Sequence, residues 1–181
     1  MGKSEAAERR DIALSLYGQI VERARRPIFY EQWHVPDTHD GRFEALGLEA
    51  ALVMRRMRAS GTVAQAISQE IFNVMFADMD RSVREQGVGD LSVGKYVKRM
   101  ASSFLARAQE IDGPLDERDV SRLALLCRRY FHGDVNGAPE MHELAGYLIA
   151  TDRALGEIDH EPLLRGRYEL PGASAANGQK R

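Results

Sequence analysis

Residues 62–86 read TVAQAISQEIFNVMFADMDRSVREQ, and this stretch decides the fold class. Ile67, Ile71, Val74, Met75 and Met79 recur at helical spacing, and Phe72, Phe76 and Val83 widen the apolar surface beyond one face. A helix apolar over so wide an arc is one touched by several neighbours. Thr62 and Gln65 stand at capping-box spacing, which predicts that the Thr62 side chain caps the start. Gly87 fits a left-handed C-cap, with Val88 placed to fold back on the last turn.

Working outward, the same period recurs on both sides. Residues 4–26 place Ile12, Leu16, Ile20 and Ala24 on one stripe, and Pro27 stops that helix. A loop is expected from 27 to 40. Residues 41–59 align Phe43, Leu46, Ala50, Val53 and Met57. Residues 92–111 carry Val93, Val97, Met100, Phe104, Ala108 and Ile111 on one face, with Lys95, Lys98, Arg99 and Ser102 on another. A fifth helix is expected from Asp116, burying Val120, Leu123, Leu126 or Cys127, and Tyr130. A sixth starts at Pro139, a favoured first helical residue, and carries Met141, Leu144, Leu148 and Leu155. No run alternates with period two. The expectation is an all-α, single-domain bundle of about six helices over residues 1–170, followed by a disordered tail at 171–181, which has no apolar periodicity.

Composition narrows the function classes. The 181 residues carry 25 Lys and Arg against 27 Asp and Glu, a net charge of -2, which argues against a general nucleic-acid binder. One cysteine, Cys127, permits neither an internal disulfide nor a multi-cysteine zinc site, and fits a reducing compartment. No segment approaches the roughly 20 apolar residues of a membrane span. The first residues resemble neither a secretory signal nor a transit peptide. The expected location is cytoplasmic, or peripheral at an inner-membrane surface.

Two dense stretches hold the chemistry-bearing residues. The first runs from His34 to Glu44. His34, Asp37, His39 and Asp40 have metal-ligand chemistry, but they match no fixed ligand pattern, and short polar side chains in such a loop shape turns and cap helices. The second runs from Phe76 to Lys98. Its glycines, Gly87, Gly89 and Gly94, match no phosphate-loop spacing and read as a tight helix–helix turn. Asp78, Asp80, Arg81, Arg84 and Glu85 are spaced for ion pairs along one helix. Asp78 and Asn73 lie close to apolar faces, so a buried partner is expected, with Arg42 the candidate. Lys95, Lys98 and Arg99, with Arg81 and Arg84 across the turn, make the best basic patch; Arg55, Arg56 and Arg58 make a second.

An enzyme reading rests on two Glu-x-x-His pairs, Glu31 with His34 and Glu157 with His160. Such pairs on separate helices form half of a carboxylate-bridged di-iron site. Each stands just before a proline, at a helix edge, and the only plausible further ligands, Glu49 and Glu70, fall off the apolar stripes. His142-Glu143 lacks a second His at 146, where Gly146 stands, so no zinc-protease helix is present.

At the two dense stretches the chain resembles the ubiquinol–cytochrome c chaperone family. The residues that carry the resemblance are Val35-Pro36-Asp37-Thr38, Gly41-Arg42-Phe43-Glu44, Phe76-Ala77-Asp78-Met79-Asp80-Arg81, Arg84-Glu85, Gly87-Val88-Gly89-Asp90-Leu91, Val93-Gly94-Lys95 and Val97-Lys98, with Tyr17 and Pro27-Ile28-Phe29-Tyr30 agreeing. It covers roughly residues 14–107, and without a targeting extension it is similar to bacterial members. Members often carry a His in the second helix, a turn after the Gly-Arg-Phe-Glu block; here Glu49 stands in that region. The resemblance implies a non-enzymatic assembly chaperone for the cytochrome bc1 complex, bound to newly made cytochrome b. In mitochondria, members of that family act near the ribosome, at the inner membrane and with a small helical co-chaperone; for a bacterial form the resemblance leaves such a partner open. It implies no cofactor, no metal and no catalytic residue. The residues expected to bind the partner, or to hold the corner that does, are Asp37, Arg42, Phe43, Asp78, Asp80, Arg81, Arg84, Asp90, Lys95 and Lys98. Met54, Met57, Met75, Met79 and Met100 are expected to line an apolar groove, since thioethers adapt to varied surfaces. A membrane or ribosome adaptor without chaperone action is the third class of function.

Overall fold

A computed structural model describes residues 2–87, 89–133, 135 and 138–170, without the side chains of Lys3, Asp90 and Leu91. Six long helices and three short ones occur among them: α1 (Gly2–Ala24), α2 (Pro27–Glu31), α3 (His39–Arg58), α4 (Thr62–Glu85), α5 (Asp90–Glu110), α6 (Asp112–Glu117), α7 (Val120–His132), α8 (His142–Glu157) and α9 (His160–Leu164). No strand occurs among the described residues, so the chain is all-α as the periodicity predicts. The expected disordered tail, 171–181, lies outside them, as does Val88.

The hub is α3, not α4. Helix α3 packs against α1, α4, α5, α7 and α8, whereas α4 meets α1, α3, α5 and α9. Every residue from Ala45 to Met54 is buried, which a single-stripe reading of α3 misses. Ala45, Gly47, Ala50 and Ala51 carry so little side chain that neighbours approach on all sides; a Cβ on Gly47 would sit 3.5 Å from the Phe104 ring.

The chain between α1 and α3 is not the plain loop expected. Pro27 ends α1 and then opens α2, where its missing N–H costs nothing. Phe29 and Trp33 stack edge to face at 5.0 Å and enclose Tyr147 of α8. His34 takes a left-handed φ of 56°, and the Val35 N–H returns to the Phe29 carbonyl at 3.0 Å. Thr38 then caps α3 by accepting from the Gly41 N–H at 3.1 Å. Only glycine fits at 41: a Cβ there would lie 2.0 Å from the Pro36 carbonyl oxygen.

Other local expectations change. Thr62 makes no capping box; Gly61, at φ 92°, precedes α4 without a side-chain cap, and the Gln65 amide donates to the Arg58 carbonyl at 3.2 Å. Gly87 does take the left-handed conformation, at φ 81°, with its N–H on the Arg84 carbonyl. Residues 112–117 form their own turn, so α7 starts at Val120, capped by Asp119, which accepts from the Arg122 N–H at 2.9 Å. Val120 is exposed, while Leu123, Cys127 and Tyr130 are buried. Helix α8 begins at His142 rather than Pro139.

Glu49 overturns the expectation that it lies off the apolar faces. It is 1% exposed in the middle of α3. Arg23 of α1 reaches it at 3.2 Å, Arg26 lies at 3.8 Å, and the Tyr147 hydroxyl donates to it. Burial works against the Arg23 charge, but the neighbouring Glu49 outweighs this and holds the guanidinium above its ordinary value. The set ties α1, α3 and α8 together, and a carboxylate so deep needs these donors.

Candidate functional site

The two dense stretches converge on one cleft. Helix α1 supplies Tyr17 and Val21, the turn after it Arg25, α2 supplies Tyr30, α3 supplies His39, Arg42, Phe43 and Leu46, and α4 supplies Asp78, Met79 and Ser82. They enclose about 200 Å³. Val21, Phe43, Leu46 and Met79 make it apolar; the rest give it a polar rim.

Asp78 and Arg42 both line this cleft, but they are not each other's partners. The Tyr17 hydroxyl donates to Asp78 at 2.9 Å, and Arg81 reaches the other oxygen at 3.3 Å. Asp78 is also not fully buried; its side chain is 40% exposed. The phenol of Tyr17 is pushed well above its ordinary pKa, first by burial and then by the Asp78 bond. Arg42 instead donates to Asp37 at 2.6 Å across the surface, and this bond holds the Asp37 carboxyl below its ordinary range. Asn73, expected near a buried face, is exposed among Gln69 and Glu70. The Tyr30 hydroxyl donates to the Ala24 carbonyl at 2.8 Å. His39 Nδ1 accepts from the Gln86 amide at 3.1 Å.

The remaining expected residues lie outside the cleft. Asp80 pairs with Arg84 at 2.6 Å on the outer face of α4, and Arg81 is exposed beside Asp78. Lys95 and Lys98 are exposed near the start of α5 and make no ion pair with a described residue. Asp90 opens α5, and its side chain is outside the described part.

Phe43 also faces a second cleft, of about 450 Å³, between α3, α5 and α7. Tyr96 donates to Asp40 at 3.2 Å there, the Arg99 guanidinium lies 5.1 Å from the Tyr96 ring centre, and Arg107 pairs with Glu44. A third groove of about 440 Å³ lies between Met54, Ser68, Phe72 and Leu105. The five methionines therefore divide. Met79, Met100 and Met54 each line one of the three clefts, while Met57 and Met75 are fully buried core.

The metal-enzyme reading finds no geometric support. His34 sits in the loop before α3 with its carbonyl accepting from His132, and Glu157 is an exposed partner of Arg153. No three His, Cys, Asp or Glu side chains among the described residues are grouped to hold a metal ion. Burial pushes the Cys127 thiol up to about 12, so it is no nucleophile at neutral pH. No helix among the described residues is long and apolar enough to cross a membrane.

Three amphipathic clefts rimmed by charge thus lie along the seams between α3 and its neighbours. Residues 31–170 match the family described as ubiquinol-cytochrome C chaperone, and the chain belongs to that family. The match begins after the first helix and runs well past the residues 14–107 that carry the resemblance in sequence. The crystal structure of the Cbp3 homolog from Brucella abortus is similar over 95% of each chain, with a TM-score of 0.84 and 33% identity. No curated protein sequence matches the chain.

Proposed function

We propose that the chain is an assembly chaperone that binds newly made cytochrome b and passes it into the ubiquinol–cytochrome c reductase complex, without performing catalysis. The observation that carries this reading is convergence. Arg42, Phe43 and Asp78, from stretches far apart in sequence, line one cleft in a member of a chaperone family. Phe43 is shared with the second cleft, so a bound client contacting either is sensed by the same side chain. Asp37 orients Arg42, and Arg81 holds Asp78. Asp80, Arg84, Asp90, Lys95 and Lys98 extend the contact surface around the α4–α5 corner. The exposed cations of α5 suit a ribosome or an anionic inner-membrane surface, and a small helical co-chaperone is a further proposed partner. The working location is the cytoplasm and its membrane surface.

Deleting the gene and measuring cytochrome b and complex activity tests the reading. Loss of both, with cytochrome b transcript unchanged, is expected; a normal complex in the deletion strain overturns it. An adaptor without chaperone action predicts instead that ribosome or membrane binding is lost while cytochrome b matures normally.

A further inference from the structure

The chain after α9 lies on α1 as a bound peptide would. From Gly166 to Leu170 it forms no helix, and burial alternates along it. Gly166 and Tyr168 are buried and Leu170 is half-buried, while Arg167 and Glu169 between them are exposed. One side chain of α1 grips this backbone at two points. The Gln19 amide N–H donates to the Gly166 carbonyl at 2.8 Å, and the Gln19 side-chain oxygen accepts from the Tyr168 N–H at 3.2 Å. The Ser15 hydroxyl donates to the same Gly166 carbonyl at 2.8 Å. Gly166 takes φ 77° and turns the chain so close to α1 that a Cβ would lie 3.1 Å from that of Ser15. Main-chain bonds with every second side chain turned inward are how grooves hold extended peptides. The Gln19 grip reads backbone alone, so it does not depend on which side chains the segment carries.

The side chain that plugs the groove fits it imperfectly. Tyr168 is 7% exposed, and its hydroxyl is shielded from solvent with no hydrogen-bond partner among the described residues. Burial, and then the nearby Glu49 carboxylate, push this phenol well above its ordinary pKa. Glu49 is already held by Arg23 and by the Tyr147 hydroxyl, so it does not serve Tyr168. Native structures seldom leave a buried donor unpaired, because its lost hydration goes uncompensated. A phenyl ring fills the same pocket without that cost. We infer that residues 165–170 are a displaceable strap, and that a non-helical apolar segment of the client, carrying a phenylalanine, takes its place on Gln19. Leu163 of α9 is fully buried and keeps the strap tethered while it is open. The strap thus competes with the client, whose apparent affinity falls by the fraction of chains in which the strap is open. This inference rests on the reading of the chain as a chaperone for an unfolded polypeptide.

The test uses the full chain and a fluorescein-labelled peptide, Leu-Arg-Gly-Arg-Phe-Glu-Leu-amide, which is the strap's own sequence with phenylalanine for its tyrosine. Tyr168→Ala empties the pocket. The peptide is expected to bind that chain about tenfold tighter than the wild type and to raise its melting temperature. Adding Gln19→Ala should abolish both effects. Tyr168→Phe should act in the opposite sense. It should raise the urea midpoint above the wild type, slow hydrogen exchange at the residue-168 amide, and cut capture of newly made cytochrome b severalfold. A midpoint lowered by Tyr168→Phe, or no peptide binding to a folded Tyr168→Ala chain, overturns the strap. Should Tyr168→Ala fail to fold, Tyr168→Phe decides alone, by the sign of its effects on midpoint and capture. Equal capture by the wild type and Tyr168→Phe overturns the competition with the client. A deletion strain with a normal complex would instead overturn the identity of the client and leave the peptide binding intact.

Discussion

Glu49 is the residue on which the core's arrangement turns. Its carboxylate is 1% exposed and is held by Arg23 of α1, by Arg26 between α1 and α2, and by Tyr147 of α8. Removing one member of such a buried set strands the other charges, at a cost of about 3 to 5 kcal/mol. Glu49→Ala should therefore lower unfolding stability in urea by about that much, and a loss below about 1 kcal/mol would show that water already screens the pair. Asp78 differs because its side chain is 40% exposed. Asp78→Ala deprives the buried Tyr17 hydroxyl of its acceptor and leaves the exposed Arg81 to water, so the expected loss is about 1 to 3 kcal/mol. Tyr17→Phe in the same background should return part of it, measured in the same urea series. A melting temperature unchanged in Asp78→Ala would show that Tyr17 finds water instead.

Helices were readable to within a few residues wherever a run of large apolar side chains kept the 3.6 period. Helices α1, α4 and α5 are of this kind. Legibility failed where local and tertiary signals compete. Pro27 both stops and starts a helix, and a single turn at Asp112–Glu117 precedes α7 because Arg118 adopts a left-handed C-cap. The all-round burial of α3 was hidden because alanine and glycine contribute little hydropathy and Glu49 interrupts the stripe. The site was half legible. Arg42, Phe43, His39 and Asp78 could be named from their stretches and Tyr30 from the resemblance, but Arg25 joins them only through folding, and no spacing rule links residues on four elements. Two predictions belong to elements. The α5–α7 contact includes Glu110, which the Tyr130 hydroxyl, at 2.6 Å, and then Arg129 hold below the ordinary carboxylate range. A carboxylate depressed in the folded state stabilises above its unfolded pKa of about 4.3, and that stabilisation is lost as pH falls through the folded value. The urea midpoints of the wild type and Glu110→Gln should therefore differ at pH 6 and converge on acidification below pH 4; a gap independent of pH would contradict it. On the exposed side of α5, Lys95→Glu with Lys98→Glu should leave melting unchanged, since neither pairs with a described residue. It should also weaken cytochrome b capture severalfold in a pull-down at low salt. Undiminished capture would remove α5 from the contact surface.

At the scale of the whole molecule, α3 is a rod around which α1, α4, α5, α7 and α8 are arranged, and the three clefts are the seams between those helices. Seams lined by methionine, phenylalanine and paired charges can hold an apolar segment while the body stays folded, because the core beneath is closed by Met57, Met75 and Leu52. Membership of the ubiquinol-cytochrome C chaperone family fits that construction. The central claim is that the α1–α3–α4 cleft is where cytochrome b is gripped during its synthesis. Photocrosslinking tests it most directly, with benzoylphenylalanine in place of Ser82 in the cleft or of Leu125, which is exposed on α7. In translating cells the Ser82 position should give an adduct with newly made cytochrome b and the Leu125 position none. An adduct from Leu125 alone, or equal yields from both, would contradict the account.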